Sequence, residues 1–324
     1  MFMIIDDCFI KVNRLFKSFV LFKCLTNSSS YDIMSEALYF IRRLLMNKSK
    51  YVLVTGVTSG IGLATAKELQ KKGYNVFGTS RTREKEDEAK KHLGDDFYFI
   101  RGDLSSRMSL DTIAIKAKEY IKENGLFAIV NNAGTFFSKL TLSEDNIEMQ
   151  FAVNTIAPMY LSLLLYESLN KANGRIINVT SSSHYNTIIK WKDIQLKKSY
   201  GQLRAYKQTK ALSVLLSREF NKYSKSVKMY MADPGLVSTE IGFKNTSAIG
   251  RLVWSYRKSI GQTLEEGAST SVYLVDSEYL PNKIYYKNSK HQPSSKVTQN
   301  VASCKRVWDY FSELYCIDPL NYMK

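Results

Sequence analysis

The sequence predicts an α/β protein built on one doubly wound parallel sheet, with helices packed on both faces. From about residue 50 onward, short segments rich in β-branched residues alternate with longer segments of helical periodicity, an alternation typical of parallel sheets. A glycine-rich turn, residues 55–62, directly follows the first short segment. Doubly wound sheets bind their ligands at the carboxyl ends of the strands, so we expect a site at this turn.

The composition fits one such domain with extensions. The 324 residues are 44% apolar, and 46 Lys and Arg against 30 Asp and Glu give a formal net charge of +16. The basic residues are scattered rather than gathered in runs of about five or six. A solvated basic surface is therefore the favoured interpretation, with peripheral contact to an intracellular membrane second. We expect no nucleic-acid partner.

Cysteine and histidine are too sparse to suggest a disulfide framework or a metal site. The four cysteines lie near the termini without a Cys-x-x-Cys pair, and the chain has three histidines. We therefore expect no metal and a reducing, cytoplasmic compartment.

Residues 1–48 are interpreted as an N-terminal extension, and residues 49–324 as the main domain. No apolar run in the extension approaches the roughly 20 residues that span a bilayer. Asp6 and Asp7 argue against a cleavable signal peptide. A short amphipathic helix near Leu38 could pack on a membrane or, the favoured alternative, on the domain. A start at Met34 or Met46 is a further alternative.

Periodicity and turn residues give the elements of the main domain in order. The first strand is a β-branched run, Gly73 suits the C-cap of the first helix, and Pro158 is expected to bend the fourth helix. Strands are predicted at 51–55, 74–79, 97–100, 126–130, 175–180 and 227–231, and helices at 61–73, 83–92, 107–122, about 143–169 and around Tyr206.

The glycine turn lies between a strand and a helix, as a dinucleotide-binding fingerprint requires. Gly56 permits a tight turn, Gly60 lets backbone amides approach a pyrophosphate, and Gly62 allows close helix packing. The helix N-terminus would then face the phosphates. An isolated match would more simply be a plain turn, but this context favours a Rossmann-like nucleotide site.

The end of the second strand indicates which nucleotide is bound. An acidic residue here suits the ribose hydroxyls of NAD(H), whereas an arginine suits the 2′-phosphate of NADP(H). Arg81, with Ser80 and Arg83 nearby, favours NADP(H), and NAD(H) stays the alternative. An exposed surface arginine is the other interpretation. Asp103 would accept from the adenine amino group or cap the following helix.

Tyr206 and Lys210 stand four residues apart on a predicted helix, so their side chains share one face. A nearby ammonium lowers the pKa of a phenol from its usual value of about 10. Chance surface pairs with this spacing are common. Downstream of the glycine turn, of Asn131-Asn-Ala-Gly134 and of Ser181-Ser-Ser183, the pair instead indicates hydride-transfer chemistry.

These motifs, in this order, resemble the classical short-chain dehydrogenase/reductase superfamily from about Lys50 to the last apolar helix. Finer details resemble its retinol-dehydrogenase-like branch. They are the segments 178–184, 264–271 and 307–314, together with the long gap before Tyr206.

The resemblance implies roles for single residues. Tyr206 would be the acid/base, Lys210 would hold the nicotinamide ribose and lower the phenol pKa, and Ser181, rather than Ser182, would hydrogen-bond the substrate oxygen. Asn154 would support a water relay. Cofactor contacts are expected at Thr55, Gly56, Ser59, Gly60, Ile61, Gly62, Arg81, Asp103, Leu104, Asn131, Ala133, Gly134, Tyr206, Lys210, Pro234, Gly235 and Thr239.

Three details depart from the branch pattern: Asp233-Pro-Gly235 replaces a common His-Pro-Gly, Val57-Thr58 replaces a frequent Ala-Asn, and the N-terminal membrane helix of many members is missing. We expect an NADP(H)-dependent oxidoreductase that interconverts carbonyl and alcohol on a small or lipophilic substrate, such as a retinoid, a steroid or a lipid aldehyde. The resemblance also implies a homo-oligomer formed through the helices of Asn154 and Tyr206, and a substrate lid at about 236–262. The alternative is a cofactor-binding regulator or scaffold with the same fold.

Overall fold

The structure, a computed structural model, describes residue 47 and residues 49–237 and 262–324. Most of the N-terminal extension, most of the predicted lid and Thr239 therefore lie outside the described residues. Eight strands form one sheet in the order β3-β2-β1-β4-β5-β6-β7-β8. The strands are β1 Tyr51–Val54, β2 Asn75–Ser80, β3 Phe99–Arg101, β4 Ala128–Asn131, β5 Arg175–Val179, β6 Lys228–Asp233, β7 Tyr285–Lys287 and β8 Lys290–His291.

All neighbouring strands pair in parallel except β7 and β8, which form an antiparallel edge. The helices are α1 Gly60–Lys71, α2 Arg83–Leu93, α3 Arg107–Ile121, α4 Met149–Phe151, α5 Ala157–Leu164, α6 Tyr166–Lys171, α7 Gln202–Tyr223, α8 Leu264–Asp276 and α9 Val301–Tyr315. A π-helical segment, Ala152–Ile156, joins α4 to α5. The predicted α/β fold class is confirmed.

The sheet separates two apolar cores because successive strand residues point to opposite faces. In β1, Leu53 belongs to the core that includes residues of α3, α5, α7 and α9, whereas Val52 and Val54 belong to the core that includes residues of α1, α2 and α8. In β5, Ile176 and Ile177 divide in the same way. Strands buried on both faces carry continuous apolar runs, which is why these segments were recognisable in the sequence.

The strand order reverses between β1 and β4. The chain builds β1, β2 and β3 in one direction and then returns to place β4 on the other side of β1. A crevice opens at such a switch point, beyond the carboxyl ends of the strands. The glycine turn after β1 and the motif after β4 therefore face each other across this crevice.

The structure divides the long helix predicted at 143–169 into α4, the π-helical segment, α5 and α6, which ends at Lys171. The first of these, α4, begins at Met149, because the Glu148 carboxylate accepts from the Gln150 and Phe151 N–H groups and caps the helix there. Pro158 stands at the start of α5, directly after the π-helical segment. Since proline has no N–H, the carbonyl of Asn154 lacks its usual helical donor, and the wider turn accommodates this loss.

Sequence patterns missed β7 and β8. These strands span three and two residues, too short for a period-2 pattern. Their pairing with β6 is decided by tertiary contacts, since Met231, Ala232 and Asp233 of β6 lie opposite β7.

The C-terminal helix α9 lies across α5 and α7. Its buried face contains Val307, Trp308 and Phe311, and the Trp308 ring lies 5.3 Å from the ring of Tyr223 on α7. This packing covers part of the surface through which we expected an oligomer to form, and the oligomeric state stays a prediction. Among the described residues, no helix is long and apolar enough to cross a bilayer.

We expect Phe311→Ala to lower the free energy of unfolding by about 3–5 kcal/mol, because the side chain is fully buried and its loss leaves a cavity. Urea denaturation followed by circular dichroism measures the change. Val301→Ala, on the same helix with 71% of the residue exposed, should change the free energy by about 0.5 kcal/mol at most. Similar losses in the two variants would show that α9 is not anchored through Phe311.

Candidate active site

A cleft of about 1060 Å³ opens at the carboxyl ends of the central strands. The structure brings most of the predicted site residues into its wall. The cleft is lined by Gly56, Ser59, Gly60, Ile61, Arg81, Asp103, Leu104, Ala133, Gly134, Ser181, Tyr206, Lys210, Pro234 and Gly235. Thr55, Gly62, Asn131 and Asn154 do not line the cleft.

The glycine turn leaves the N-terminus of α1 open to the cleft. Gly56 and Gly60 have φ values of +66° and +59°, in the left-handed region that favours glycine. A Cβ at Gly60 would meet no atom within 4 Å, so its absence keeps the space before the helix free. Ser59 makes no side-chain cap, and the first N–H groups of α1 stay available to an anion. These residues fit the pyrophosphate of a dinucleotide.

Gly62 and Thr55 lie behind the cleft wall and make close contacts there. A Cβ at Gly62 would lie 2.4 Å from the Gly56 carbonyl oxygen, so α1 can approach the turn only with glycine there. The Asn132 side chain donates to the Thr55 carbonyl oxygen over 2.9 Å. The Ala133 N–H donates to the Thr55 hydroxyl over 3.0 Å. These contacts join the end of β1 to the end of β4.

The two adjacent asparagines point in opposite directions. Asn132 lines the cleft, although the sequence argument had singled out Asn131. The Asn131 side chain is buried and donates to Asn178 Oδ1 over 2.8 Å and to Ser162 Oγ over 3.2 Å. Asn131 thus supports the cleft from beneath, since strand residues alternate between the two sides.

Two cations line the cleft beyond the end of β2. Arg81 is exposed and lines the cleft, as does Lys85 on α2, which the sequence argument had not proposed. The Ser80 hydroxyl donates to Glu86, which also accepts from Arg101. The Arg101 guanidinium holds the pKa of Glu86 below its usual range. The Ser80 hydroxyl proton is therefore engaged by Glu86.

The alternative role of Asp103 as a helix cap is not observed. Ser106 caps α3 by accepting from the Ser109 N–H. Asp103 Oδ1 instead accepts from the backbone N–H and the hydroxyl of Ser105, both over 2.9 Å. Its exposed carboxylate lies on the cleft wall.

Tyr206 and Lys210 lie one turn apart on α7, as their spacing predicted. The Lys210 ammonium lies 5.7 Å from the centre of the Tyr206 ring and donates to the Val179 carbonyl oxygen over 2.9 Å. Burial lowers the pKa of Lys210 to about 8, and the negative charge of Asp233 opposes this shift. The Tyr206 ring meets Phe136 edge to face, with ring centres 5.4 Å apart.

Ser181 and Ser182 follow β5 directly and have different partners. The Ser181 hydroxyl donates to the Ser183 hydroxyl over 3.0 Å. The Ser182 hydroxyl donates to the Asp233 carboxylate and accepts from the Lys287 ammonium over 3.1 Å. Sequence patterns offered no means of finding these partners of Ser182, which come from β6 and β7.

His184 fixes the backbone of this serine segment. Its Nε2 accepts from the Ser295 N–H over 3.1 Å, so Nδ1 carries the proton and donates to the Ser181 carbonyl oxygen over 2.7 Å. Burial lowers the pKa of His184 and favours this neutral form. His184 belongs to the segment 178–184, which resembles the retinol-dehydrogenase-like branch, but the sequence alone assigned it no role.

Asn154 connects the loop after β4 to α7. Its Oδ1 accepts from the Thr135 N–H over 2.8 Å and its Nδ2 donates to the Thr135 carbonyl oxygen over 3.0 Å. Nδ2 also lies 3.4 Å from the hydroxyl of Thr209, the residue before Lys210. Asn154 therefore positions the backbone on which the cleft wall depends.

Comparison with known proteins shows the family of the chain. The family model for short chain dehydrogenases matches residues 50–249. The chain belongs to the short-chain dehydrogenase family. Retinol dehydrogenase 12 from Mus musculus is 30% identical over 276 residues, which cover 82% of this chain and 86% of the relative. Polyprenol dehydrogenase from Homo sapiens is 29% identical, covering 82% of this chain and 84% of the relative.

Solved structures share the fold of this short-chain dehydrogenase at lower identity. The NADPH-bound carbonyl reductase from chicken fatty liver has a TM-score of 0.57 and 23% identity, covering 76% of this chain and 98% of its own. An alcohol dehydrogenase from Thermococcus sibiricus, complexed with 5-hydroxy-NADP, has a TM-score of 0.57 and 20% identity, covering 75% and 98%.

The family and its named relatives establish the reaction class. The protein is a short-chain dehydrogenase of the retinol-dehydrogenase-like branch, an oxidoreductase that acts on CH–OH donors with a nicotinamide cofactor. Its substrate is a small molecule that carries a carbonyl or an alcohol.

We expect Gly62→Ala to lower the free energy of unfolding by about 1–3 kcal/mol and to weaken nucleotide binding, because the added Cβ would press on the Gly56 carbonyl oxygen. Chemical denaturation and titration with NADPH measure the two effects. Gly201→Ala is the control, since its Cβ would make only an ordinary contact, 3.6 Å from Arg204. A Gly62→Ala protein as stable as that control would contradict the close approach of α1.

Proposed function

We propose that this short-chain dehydrogenase is an NADP(H)-dependent enzyme that interconverts carbonyl and alcohol groups on a lipophilic substrate. One observation carries the proposal. Ser181, Tyr206 and Lys210 line the same cleft as the uncapped N-terminus of α1, so a proton-transfer set and an anion site face one space.

The cofactor would lie along this cleft. The amides of the glycine turn and of α1 would hold the pyrophosphate, with Ala133, Gly134, Pro234 and Gly235 lining the same channel. Arg81 and Lys85 would bind the 2′-phosphate, and the Asp103 carboxylate would accept from the adenine amino group. Thr239 stays a predicted contact outside the described residues. When bound, the nicotinamide supplies or accepts the hydride at the substrate carbon.

Ser181, Tyr206 and Lys210 divide the remaining chemistry. The Tyr206 hydroxyl would give its proton to the carbonyl oxygen in reduction and accept one from the alcohol in oxidation. The Ser181 hydroxyl would donate a hydrogen bond to the same oxygen as negative charge develops there. The Lys210 ammonium would hold the ribose and stabilise the ionised form of Tyr206.

Asn154 would act through its backbone. Its carbonyl has no helical donor at Pro158, so it can accept from a water that connects to Lys210. This arrangement supports the predicted water relay.

Apolar side chains support a lipophilic substrate. Phe136, Phe137, Met149, Val153 and Leu236 line the cleft, and the Phe136 ring contacts Tyr206. Apolar walls with a few convergent polar groups are typical of small-molecule sites. Retinoid, steroid or lipid carbonyls fit this description, and the predicted lid would add to it.

The cellular setting forms part of the proposal. The net charge of +16 supports peripheral contact of a cytoplasmic enzyme with an anionic membrane surface. A homo-oligomer would have to form beside the surface of α7 that α9 covers.

We expect Tyr206→Phe to lower turnover by about 100- to 10,000-fold while the affinity for NADPH is retained, because the ring stays and the proton donor is lost. NADPH absorbance over a panel of aldehydes and ketones measures turnover, and protein fluorescence measures binding. Tyr279→Phe, 81% exposed, is the control. Nucleotide binding without turnover, unchanged by Tyr206→Phe, would support the regulator or scaffold alternative.

We expect Arg81→Ala to weaken NADPH binding by about 10- to 100-fold, the value of a charge-assisted hydrogen bond, and NADH binding by less than about threefold. The reason is that only NADPH carries the 2′-phosphate. Arg83→Ala removes a neighbouring exposed cation that does not line the cleft and serves as the control. Equal losses for the two nucleotides would show that Arg81 does not bind the phosphate.

A further inference from the structure

Lys287 ends β7 and lies half-buried in the wall of the cleft. Its ammonium donates to the Ser182 hydroxyl oxygen over 3.1 Å. An ammonium has three N–H groups, and Ser182 takes one of them. No Asp or Glu side chain among the described residues forms an ion pair with Lys287. Its other N–H groups can therefore bind an acceptor that enters the cleft.

The residues behind Ser182 hold this ammonium in place. The Asp233 carboxylate accepts from the hydroxyls of Ser182 and Tyr285, and a carboxylate cannot donate. The Ser182 proton therefore points to Asp233, and the Ser182 oxygen is left to accept from Lys287. Burial raises the pKa of Tyr285, which stays a neutral donor. Asp233 stands where the branch pattern commonly has histidine, so the carboxylate that orders these groups departs from that pattern.

The strand order places Lys287 on the opposite side of Ser181 from the glycine turn. The glycine turn follows β1, Ser181 follows β5 and Lys287 ends β7, in a sheet ordered β1-β4-β5-β6-β7. Since neighbouring strands lie about 4.8 Å apart, β7 is roughly 19 Å from β1 across the sheet. Arg81 follows β2, on the other side of β1. The Lys287 ammonium is therefore remote from the proposed phosphate sites of the cofactor.

One substrate molecule can reach both Lys287 and the proposed proton-transfer residues. Ser182 directly follows Ser181, and adjacent Cα atoms are about 3.8 Å apart, so the ammonium and the Ser181 hydroxyl lie at most about 12 Å apart. Phe136 and Met149 line the same cleft. The cleft thus offers a cation, a proton-transfer set and apolar walls to one ligand.

We propose that Lys287 is a specificity-determining residue that binds a carboxylate of the substrate. The enzyme would then act on lipophilic aldehydes or ketones that also carry an acidic group. This inference rests on the proposed function and names the substrate class of the same site. Hydrogen bonds between an ammonium and a carboxylate are stronger than neutral ones, and a partly buried cleft screens their attraction less than water does.

Matched substrates and variants test the role of this charge. Succinic, adipic and azelaic semialdehyde carry a carboxylate at different distances from the aldehyde, and the methyl ester of each lacks that charge. Lys287→Gln removes the charge but keeps an N–H donor for Ser182, whereas Lys287→Arg keeps the charge. Lys290→Met removes an exposed cation of β8 that does not line the cleft and is the matched control.

We expect the unaltered protein to have a higher kcat/KM for at least one semialdehyde than for its methyl ester. In Lys287→Gln this ratio should fall by about 10- to 100-fold, the value of a hydrogen bond to a charged group, mainly through a higher KM for the acid. Lys287→Arg should keep most of the preference because it keeps the charge, and Lys290→Met should leave the ratio unchanged. NADPH absorbance measures the kinetic constants.

A binding measurement separates this inference from the proposed function. Calorimetric titration of the protein with NADPH bound compares octanoate with octanamide, which carries no charge, and it requires no turnover. Octanoate should bind more tightly, and Lys287→Gln should remove the difference. If octanoate binds in this way while no aldehyde is reduced, the carboxylate site is supported and the proposed function is wrong.

Equal binding of octanoate and octanamide to the unaltered protein would overturn the inference. Equal losses for acids and esters in Lys287→Gln would also overturn it and would indicate that Lys287 only supports Ser182. A fall in NADPH affinity that accounts for the slower turnover of this variant would show instead that Lys287 contacts the cofactor. If Lys287→Gln does not fold, Lys287→Met carries the same tests, because it keeps the apolar stem and removes the charge.

Discussion

The close contact between the glycine turn and the end of β4 is the constraint on which the cleft depends. At Gly62 a hydrogen atom replaces a side chain that would collide with the Gly56 carbonyl oxygen. Asn132 and Ala133 then bind the Thr55 carbonyl and hydroxyl oxygens. Because these contacts fix the first turn of α1 at the switch point of the sheet, the helix N-terminus points into the crevice rather than over it.

A buried polar network extends this arrangement across the sheet to α7, the helix of Tyr206 and Lys210. Asn131 donates to Asn178 on β5, and Asn178 donates over 3.1 Å to Ser217 on α7. Buried amides are stable only when their hydrogen bonds are satisfied, so β4, β5 and α7 keep one register. That register places Lys210 under the Val179 carbonyl oxygen and Tyr206 on the cleft wall.

The electrostatics of the cleft follow from its burial. The Lys210 ammonium is desolvated, with the Val179 carbonyl oxygen and the charge of Asp233 as compensation. His184 is neutral and donates to the Ser181 backbone. The fixed groups around the serine segment thus hold it from both sides.

The sequence alone determined the alternation of strands and helices, the glycine turn after the first strand and the spacing of Tyr206 and Lys210, because each is a local pattern read within about 20 residues. The tertiary structure decided which of two adjacent asparagines lines the cleft and which partners hold each of two adjacent serines. Those choices depend on partners distant in the chain. Asp233 and Lys287 hold Ser182, and Ser295 sets the tautomer of His184. No periodicity near Ser182 or His184 encodes such contacts, which exist only once β6, β7 and the segment after β8 have packed against the residues that follow β5.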